Sequence, residues 1–404
     1  MLLAHQIELK PNNKQATHFA KACGVARFAY NWALDQWKKQ YEDGGKPSES
    51  ALRKQLNSIK KSEYPWMLEV TKNSPQQAIK DLGDAFSRFF KKTSGYPKFK
   101  KKGVRDSFRA DNGTDATTPN AVKVLAKKVK VPNLGWVNMT EEVRFQGQIK
   151  SLVISRKADR WFASFTIDTE QLPHVRKNHG AVGIDLGIKS LATFSKGESY
   201  TGVKAHTQKL SRLKRLSRQL SRKKKGSNNF KKASMKLAKL HLQISNLRKD
   251  YLHKTTTETV LNYDQIGLED LNVKGMSANR KLARHILDQS FYEFKRQLEY
   301  KSQMYDSKIT VADRFFPSSK LCHVCNWKND NLTLSVREWT CPQCNTLHDR
   351  DYNAAKNLEL LCTVSSTETQ ACGVESSGLS ALISETMPCR SKNITSCTTL
   401  DNNG

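Results

Sequence analysis

Apolar residues first recur at helical spacing. Between Gln15 and Tyr41 they fall at Phe19, Ala22, Val25 and Phe28, and Pro11-Asn12-Asn13 punctuates the chain just ahead. A second helix is predicted from Ser74-Pro75, a cap followed by proline, through Ile79, Leu82, Ala85, Phe86 and Phe89. It ends in the breaker cluster Lys91-Lys92-Thr93-Ser94-Gly95-Tyr96-Pro97. From Val122 to Ile167 the period changes to that of strands. Val129-Lys130-Val131 and Leu152-Val153-Ile154 are β-rich, and Arg160 to Ile167 alternates around Trp161, Phe162 and Phe165. Lys157-Ala158-Asp159 reads as the hairpin turn between the last two. Several short strands so close together predict a small barrel or sandwich. A new unit begins near Gly180 with the buried strand Val182-Gly183-Ile184-Asp185 and a hairpin partner at Leu191-Ala192-Thr193-Phe194. A long helical pair follows from His206 to about Tyr263. Then come a strand at Gln265 to Glu269, a helix near Ser290 to Tyr305, a strand at Lys308 to Ala312, a cysteine-rich insert, and a helix from about Asp351.

Composition narrows the function. The chain has 404 residues, enough for two or three domains, and 68 Lys and Arg stand against 38 Asp and Glu for a formal charge of +30. That excess disfavours a neutral small-metabolite enzyme and calls for a polyanion, either nucleic acid or an anionic membrane surface. No run of about 18 apolar residues appears. The opening Met1-Leu2-Leu3-Ala4-His5-Gln6 lacks a signal peptide's apolar stretch. The expectation is a cytoplasmic, nucleoid-associated protein that does not enter a membrane. From about Thr363 the composition turns to Ser, Thr, Gly and Asn, with two basic and four acidic residues, and residues 363–404 are expected to be a disordered tail. Its cysteines Cys372, Cys389 and Cys397 carry no pairing signature.

Positive charge concentrates between His206 and Lys254, where sixteen Lys and Arg face one acid, Asp250. Leucines at 210, 213, 216 and 220, then Leu237, Leu240, Ile244 and Leu247, give two amphipathic helices with Gly226-Ser227-Asn228-Asn229 as the turn. A mixed-charge face would simply be solvated, but charge of one sign repels itself unless a phosphate backbone neutralises it. Arg212, Arg215, Arg222, Lys223, Lys224 and Lys225 are the candidate contacts. Lys91-Lys92, Tyr96, Lys98, Phe99, Lys100, Lys101 and Lys102, then Phe108-Arg109, interleave basic and aromatic residues as backbone contact plus base stacking requires. A basic linker is the plain alternative.

The chemistry-bearing residues fall in two groups. Cys322-x-x-Cys325, fifteen residues, then Cys341-x-x-Cys344 matches a tetrahedral zinc site with four thiolates at roughly 2.3 Å. Four protein ligands leave no open position, so this zinc would be structural. Asn326 and Asn345 stand where glycine is commoner, and asparagine tolerates the left-handed backbone a metal knuckle needs. The second group is carboxylate. Asp185 sits in Gly183-Ile184-Asp185-Leu186-Gly187, where Gly187 would leave room for backbone approach. Glu269 ends Ile266-Gly267-Leu268-Glu269, and Asp351 opens a small-residue helix. Three such oxygen ligands could hold two Mg²⁺ about 4 Å apart for phosphodiester hydrolysis. Alternatively, Asp185 is a strand-end turn residue, Glu269 a solvated strand end and Asp351 a helix cap.

Several motifs together carry a resemblance. Phe316-Pro317-Ser318-Ser319-Lys320-Leu321-Cys322, Arg337-Glu338-Trp339-Thr340-Cys341-Pro342 and His348-Asp349-Arg350-Asp351-x-Asn353-Ala354-Ala355-x-Asn357 resemble the TnpB family. These are OrfB-type, RNA-guided DNA endonucleases of bacterial insertion sequences, related to compact type V CRISPR effectors. Gly183 to Gly187 and Leu268-Glu269-Asp270-Leu271-Asn272-Val273 are similar to its first two RuvC motifs, and Arg27-Phe28-Ala29-Tyr30-Asn31-Trp32 to its N-terminal signature. The resemblance spans about residues 1 to 360.

It implies a multidomain α/β protein. A split β-barrel wedge domain would take residues 1–12 and 96–178, with Ile7-Glu8-Leu9 in its first strand. A helical recognition domain would take 13–95. A RuvC nuclease of RNase H-like fold would take 179–316 and 349–362, and a zinc-ribbon insert that binds target nucleic acid 317–348. It implies Asp185, Glu269 and Asp351 as the catalytic triad, choosing Glu269 over Asp270 and Asp351 over Asp349. It further implies one structural Zn²⁺, two catalytic Mg²⁺, a guide RNA from the transposon end, a double-stranded DNA target and a monomer carrying one RNA. Lys72 and Gln76 align with readers of the short target-adjacent motif, and such side chains suit guanine and adenine edges respectively. The competing readings are a catalytically silent, RNA-guided DNA-binding transcriptional regulator and a transposase acting without RNA. The intact triad favours the nuclease.

Overall fold

In a computed structural model, residues 1–112, 121–170, 180–333 and 335–367 are described below. The tail cysteines, and the expectation of disorder beyond residue 367, lie outside them.

The first half joins a helical layer to a seven-stranded antiparallel sheet. Strand β1 (Leu2–Lys10) buries alternate side chains, among them Leu3, Ile7 and Leu9. It is followed by α1 (Asn13–Glu42), whose start is set by a reciprocal capping box between Asn12 and Gln15. Helices α2 (Glu49–Ile59) and α3 (Asn73–Phe90) pack on it, with Trp37 stacked on Phe86 at 4.2 Å. The expected cap Ser74 has another role. It is buried one position inside α3, and its hydroxyl donates to the Ala22 carbonyl at 2.7 Å, tying α3 to α1.

Strands β2 (Ser107–Asp111), β3 (Lys123–Leu125), β4 (Lys128–Val131), β5 (Gly135–Met139), β6 (Gln148–Lys157) and β7 (Arg160–Asp168) complete the sheet in the order β2-β6-β7-β1-β5-β4-β3. The first strand of the chain is therefore a central strand. The β6–β7 hairpin turns at Ala158-Asp159, with Ala158 at φ 53° and Lys157 opposite Arg160. The two edges of the sheet meet through one side chain. Asn112, just past β2, donates to the Val122 carbonyl at 3.0 Å and accepts from the Val122 amide at 2.6 Å, just before β3. Phe108, expected among the base-stacking aromatics, is instead 3% exposed in this core.

The second half is built on a five-stranded sheet. Strands β8 (Ala181–Asp185), β9 (Ala192–Phe194) and β10 (Ser199–Tyr200) form an antiparallel meander, and β11 (Gln265–Leu268) and β12 (Lys308–Val311) add in parallel, giving the order β10-β9-β8-β11-β12. Between β10 and β11 lie the short α4 (Ala205–Gln208), then α5 (Leu210–Ser221) and α6 (Asn228–Asn262). Their turn is Arg222 to Ser227 rather than Gly226 to Asn229, because Ser227 caps α6 by accepting from the Phe230 amide. Helices α7 (Val273–Ala278), α8 (Ala283–Gln289) and α9 (Phe291–Tyr305) lead to β12, and the hairpin β13 (Glu338–Thr340) and β14 (Leu347–Asp349) leads into α10 (Arg350–Thr367). Helix α10 runs past residue 362, so residues 363–367, expected in a disordered tail, are helical.

Two glycines seat α10 on the sheet. Gly183 of β8 and Gly267 of β11 are register partners. A Cβ on Gly183 would overlap the Ala355 carbonyl, and one on Gly267 the Leu358 carbonyl. Gly187, expected to give this clearance, faces only the Ser190 carbonyl, at 3.1 Å from an added Cβ. Among the described residues no helix is long and apolar enough to cross a membrane. Gly183→Ala should force α10 off the sheet and cost about 3 kcal/mol or more. Gly187→Ala should cost less, which chemical denaturation of the two variants measures.

Candidate active site and metal centre

Strand pairing brings the first two carboxylates together. Strands β8 and β11 are parallel with Leu268 opposite Ile184, so Asp185 and Glu269 emerge side by side at the strands' C-terminal ends. Asp351 enters from the first turn of α10. Asp185 shows the consequence electrostatically. Burial pushes its carboxyl well above the ordinary range, and the charges of Glu269 and then Asp351 push it further, against Arg350 and Arg337. Glu269 is also raised, first by burial, while the Ser318 hydroxyl that donates to it and the Arg350 charge pull the other way. Arg337 reaches Asp351 at 3.2 Å.

The neighbouring acids are occupied elsewhere. Asp270 pairs with Arg314 at 2.6 Å and Lys295 at 3.2 Å, and the hydrogen bonds from these two side chains hold its carboxyl below the usual range. Asp349 Oδ1 accepts from the Tyr352 amide at 2.8 Å and so serves as the helix cap. The capping alternative thus falls to Asp349, and the Asp351 carboxylate pairs with Arg337 while its charge is felt by both other acids. Glu269 opens into a cleft of about 430 Å³ that Phe315, Ser318 and Lys320 also line. The Phe315 ring is 87% exposed beside it. The donor set suits hard divalent cations such as Mg²⁺, whose charge would relieve the repulsion that raises Asp185.

The four cysteines converge. The Sγ atoms of Cys322, Cys325, Cys341 and Cys344 all lie within 4.8 Å of one another. The pairs Cys322–Cys344 and Cys325–Cys341 are 3.6 Å apart. A tetrahedron with zinc–sulfur bonds near 2.3 Å has sulfurs about 3.8 Å apart, so the cluster fits zinc. Asn326 and Asn345 adopt φ of 62° and 55°, the left-handed turn expected of them. His348, which opens the motif block but is given no role by the sequence, is buried with its Nε2 3.1 Å from Cys322 Sγ.

A set of amides joins this cluster to α10. Asn353 Nδ2 donates to the Leu321 carbonyl at 2.6 Å, and its Oδ1 accepts from the His323 amide at 3.1 Å. Asn357 Nδ2 donates to the carbonyls of Ser318 at 2.7 Å and Leu321 at 2.8 Å. The cysteine knuckle is thereby fixed to the helix that carries Asp351, and Ser318 links the same segment to Glu269. Arg350, Asn353 and Asn357 lie inside the motif block read from the sequence, but their spacing alone gave no reason for amides there.

The expected nucleic-acid contacts sort unevenly. Arg212, Arg215, Arg222, Lys223, Lys224 and Lys225 are all exposed along α5 and the turn after it. Lys98 and Lys101 are exposed as well. Lys100 is exposed too, but its Nζ lies over the Tyr30 ring, 3.9 Å from the ring centre. Lys72 immediately precedes α3, exposed at a cleft of about 280 Å³, and Gln76 lies half-buried one turn on.

Similarity to known proteins places the chain. A family described as "Probable transposase", of the OrfB type of IS605, matches residues 164–280. A "Cas12f1-like, TNB domain" family matches 291–358. A protein of Streptomyces pristinaespiralis named "Putative RNA-guided DNA endonuclease" is 36% identical over 358 residues, 88% of either chain. The chain belongs to the OrfB/TnpB family. InsQ of Escherichia coli K12, which bears the same designation, is 31% identical over 88% of this chain and 91% of its own. In structure, the Cas12f1 chain of a complex with single guide RNA and target DNA matches with a TM-score of 0.55 at 16% identity, covering 86% of this chain and 83% of that one. The TnpB-family chain therefore shares the fold of that protein. A third family match, to a helix-turn-helix domain, covers residues 1–46. Here those residues form β1 and most of them the single uninterrupted helix α1.

Asn353→Ala should leave the cysteines in place and strand the half-buried His323 amide, while the Leu321 carbonyl keeps its bond from Asn357. The expected loss is about 1–3 kcal/mol, read as a lower thermal midpoint of the chain.

Proposed function

We propose that this chain is a transposon-encoded, RNA-guided, Mg²⁺-dependent endonuclease that cuts double-stranded DNA. The observation that carries this reading is that Asp185 and Glu269 end paired strands and both feel the charge of Asp351, within a chain of the TnpB family, with Asp270 and Asp349 tied up in other bonds. The five-stranded order, with β8 central and antiparallel to β9 but parallel to β11, supports a RuvC domain of RNase H-like fold over 179–316 and 349–362. The sheet containing β1 would be the wedge, residues 13–95 the recognition domain, and the cysteine cluster a structural zinc ribbon. The protein would act as a monomer on one guide RNA from the transposon end.

In this mechanism Asp185, Glu269 and Asp351 would hold two Mg²⁺, which supply an activated water and stabilise the leaving oxygen of the phosphodiester. Asp185 and Glu269 sit on rigid strand ends, so their carboxylates need little reorganisation. Ser318 fixes the Glu269 rotamer by donating to it, and Arg337 restrains Asp351. Arg350 balances the acidic cluster. The exposed cations of α5 and its turn would track a phosphate backbone, while guide pairing reads the sequence and Lys72 and Gln76 read the flanking motif.

Protein co-expressed with RNA from its flanking locus, given Mg²⁺ and a plasmid library with a guide-matched target beside randomised flanks, should cut only where the motif is present. Asp185→Ala, Glu269→Gln and Asp351→Asn should each slow cutting on the order of a thousand-fold or more. Asp270→Asn should stay within about tenfold, since that acid pairs with Arg314 and Lys295. Full cleavage by Asp185→Ala would overturn the assignment, and specific binding without cutting by the wild type would favour the regulator. Replacing Arg222, Lys223, Lys224 and Lys225 by alanine should weaken RNA binding and flatten its salt dependence by about one unit of slope for each phosphate that is no longer neutralised.

A further inference from the structure

A groove between α1 and the connection to α3 has no part in the site above. It has a volume of about 540 Å³ and is lined by Gly24, Arg27, Phe28, Asn31 and Trp32 of α1 with Tyr64 and Trp66 from the connection to α3. Its aromatic wall is built edge to face: Phe28 meets Tyr64 at 4.8 Å and Trp66 at 5.1 Å. Trp66 is still 42% exposed.

Gly24 is the informative residue. It lies in the interior of α1, where glycine is unfavourable relative to alanine. Packing does not require it. A Cβ there would meet only Arg27 Nη2, at 3.9 Å. What the missing side chain does is keep the floor of the aromatic groove open. A basic strap is tied to the groove. Asn31 holds the Lys100 backbone at both its amide and carbonyl, at 2.8 and 3.0 Å, and so anchors the strap that carries exposed Lys98, Lys101 and Lys102. Flat aromatic faces, a cleared floor and a run of cations alongside are the pattern that receives a base by stacking and its backbone by charge.

We infer that this groove binds an unpaired nucleobase of the RNA partner, with the flanking phosphates along Lys98 to Lys102. Folded RNA offers such bases in loops and bulges, whereas a DNA duplex keeps its bases stacked inside. The inference rests on the RNA-guided reading but concerns a different surface from the carboxylates.

The test uses the full chain and a twelve-nucleotide single-stranded RNA carrying one 2-aminopurine, with the same sequence as DNA and as an RNA duplex. The wild type should quench the 2-aminopurine and prefer the single-stranded RNA. Trp66→Ala and Gly24→Leu should each weaken binding by roughly tenfold or more. Both should fold, because Trp66 is exposed and leucine favours helix over glycine, and circular dichroism checks this. Unchanged affinity and quenching in both variants would overturn the groove assignment alone. A wild type that prefers the DNA strand, with the weakening in the variants confined to DNA, would overturn the choice of RNA. A wild type that binds none of the RNA probes would overturn the RNA-guided reading together with this one.

Discussion

The contact on which the second half of the chain depends is between backbones. Helix α10 lies on β8 and β11 closely enough that neither Gly183 nor Gly267 could carry a side chain, because the carbonyls of Ala355 and Leu358 occupy that space. Strand pairing alone aligns Asp185 with Glu269. Only the depth at which the helix settles brings Asp351 to them. Burial, and after it the charges of Glu269 and Asp351, raises Asp185 as the electrostatic counterpart of that depth. Burial and like charge both disfavour these carboxylates as ions, Arg350 and Arg337 offset part of that, and the glycine seat with the amide links from Asn353 and Asn357 holds the helix down.

The cysteine cluster and the carboxylates form one mechanical unit. The knuckle at Leu321-Cys322-His323 is bound to α10 through side-chain amides, and Ser318 bonds both Asn357, through its carbonyl, and Glu269, through its hydroxyl. A metal held by the four thiols would stiffen the segment that presents Ser318 and anchors the start of α10. The insert thus has a part in site geometry alongside any contact it makes with nucleic acid.

Much of this was legible in the chain. The cysteine spacing foretold a convergent cluster, and asparagine's tolerance of the left-handed backbone foretold the turns at Asn326 and Asn345. Strand periodicity located β6, β7, β8 and β11 within a few residues. What escaped was set by tertiary packing. Ser74 has the residue type of a cap, yet its hydroxyl serves the Ala22 carbonyl because α1 passes beside it. Gly187 and Gly183 are indistinguishable by residue type, and only the path of α10 decides which of them gives clearance. Lys100 and Phe108 belong to a basic, aromatic run, but one folds over Tyr30 and the other enters the sheet core. Charge and composition report that a segment meets a polyanion and say little about which side chains face it.

The order of these elements along the chain has a consequence for biosynthesis. Both strands of the glycine seat and both long basic helices leave the ribosome well before α10 does. A polypeptide that stops short of Arg350 would lose the third carboxylate together with the helix that covers the seat. Premature termination would therefore leave only two of the three acids and two uncovered strands, so the site is completed only when the last helix has been made.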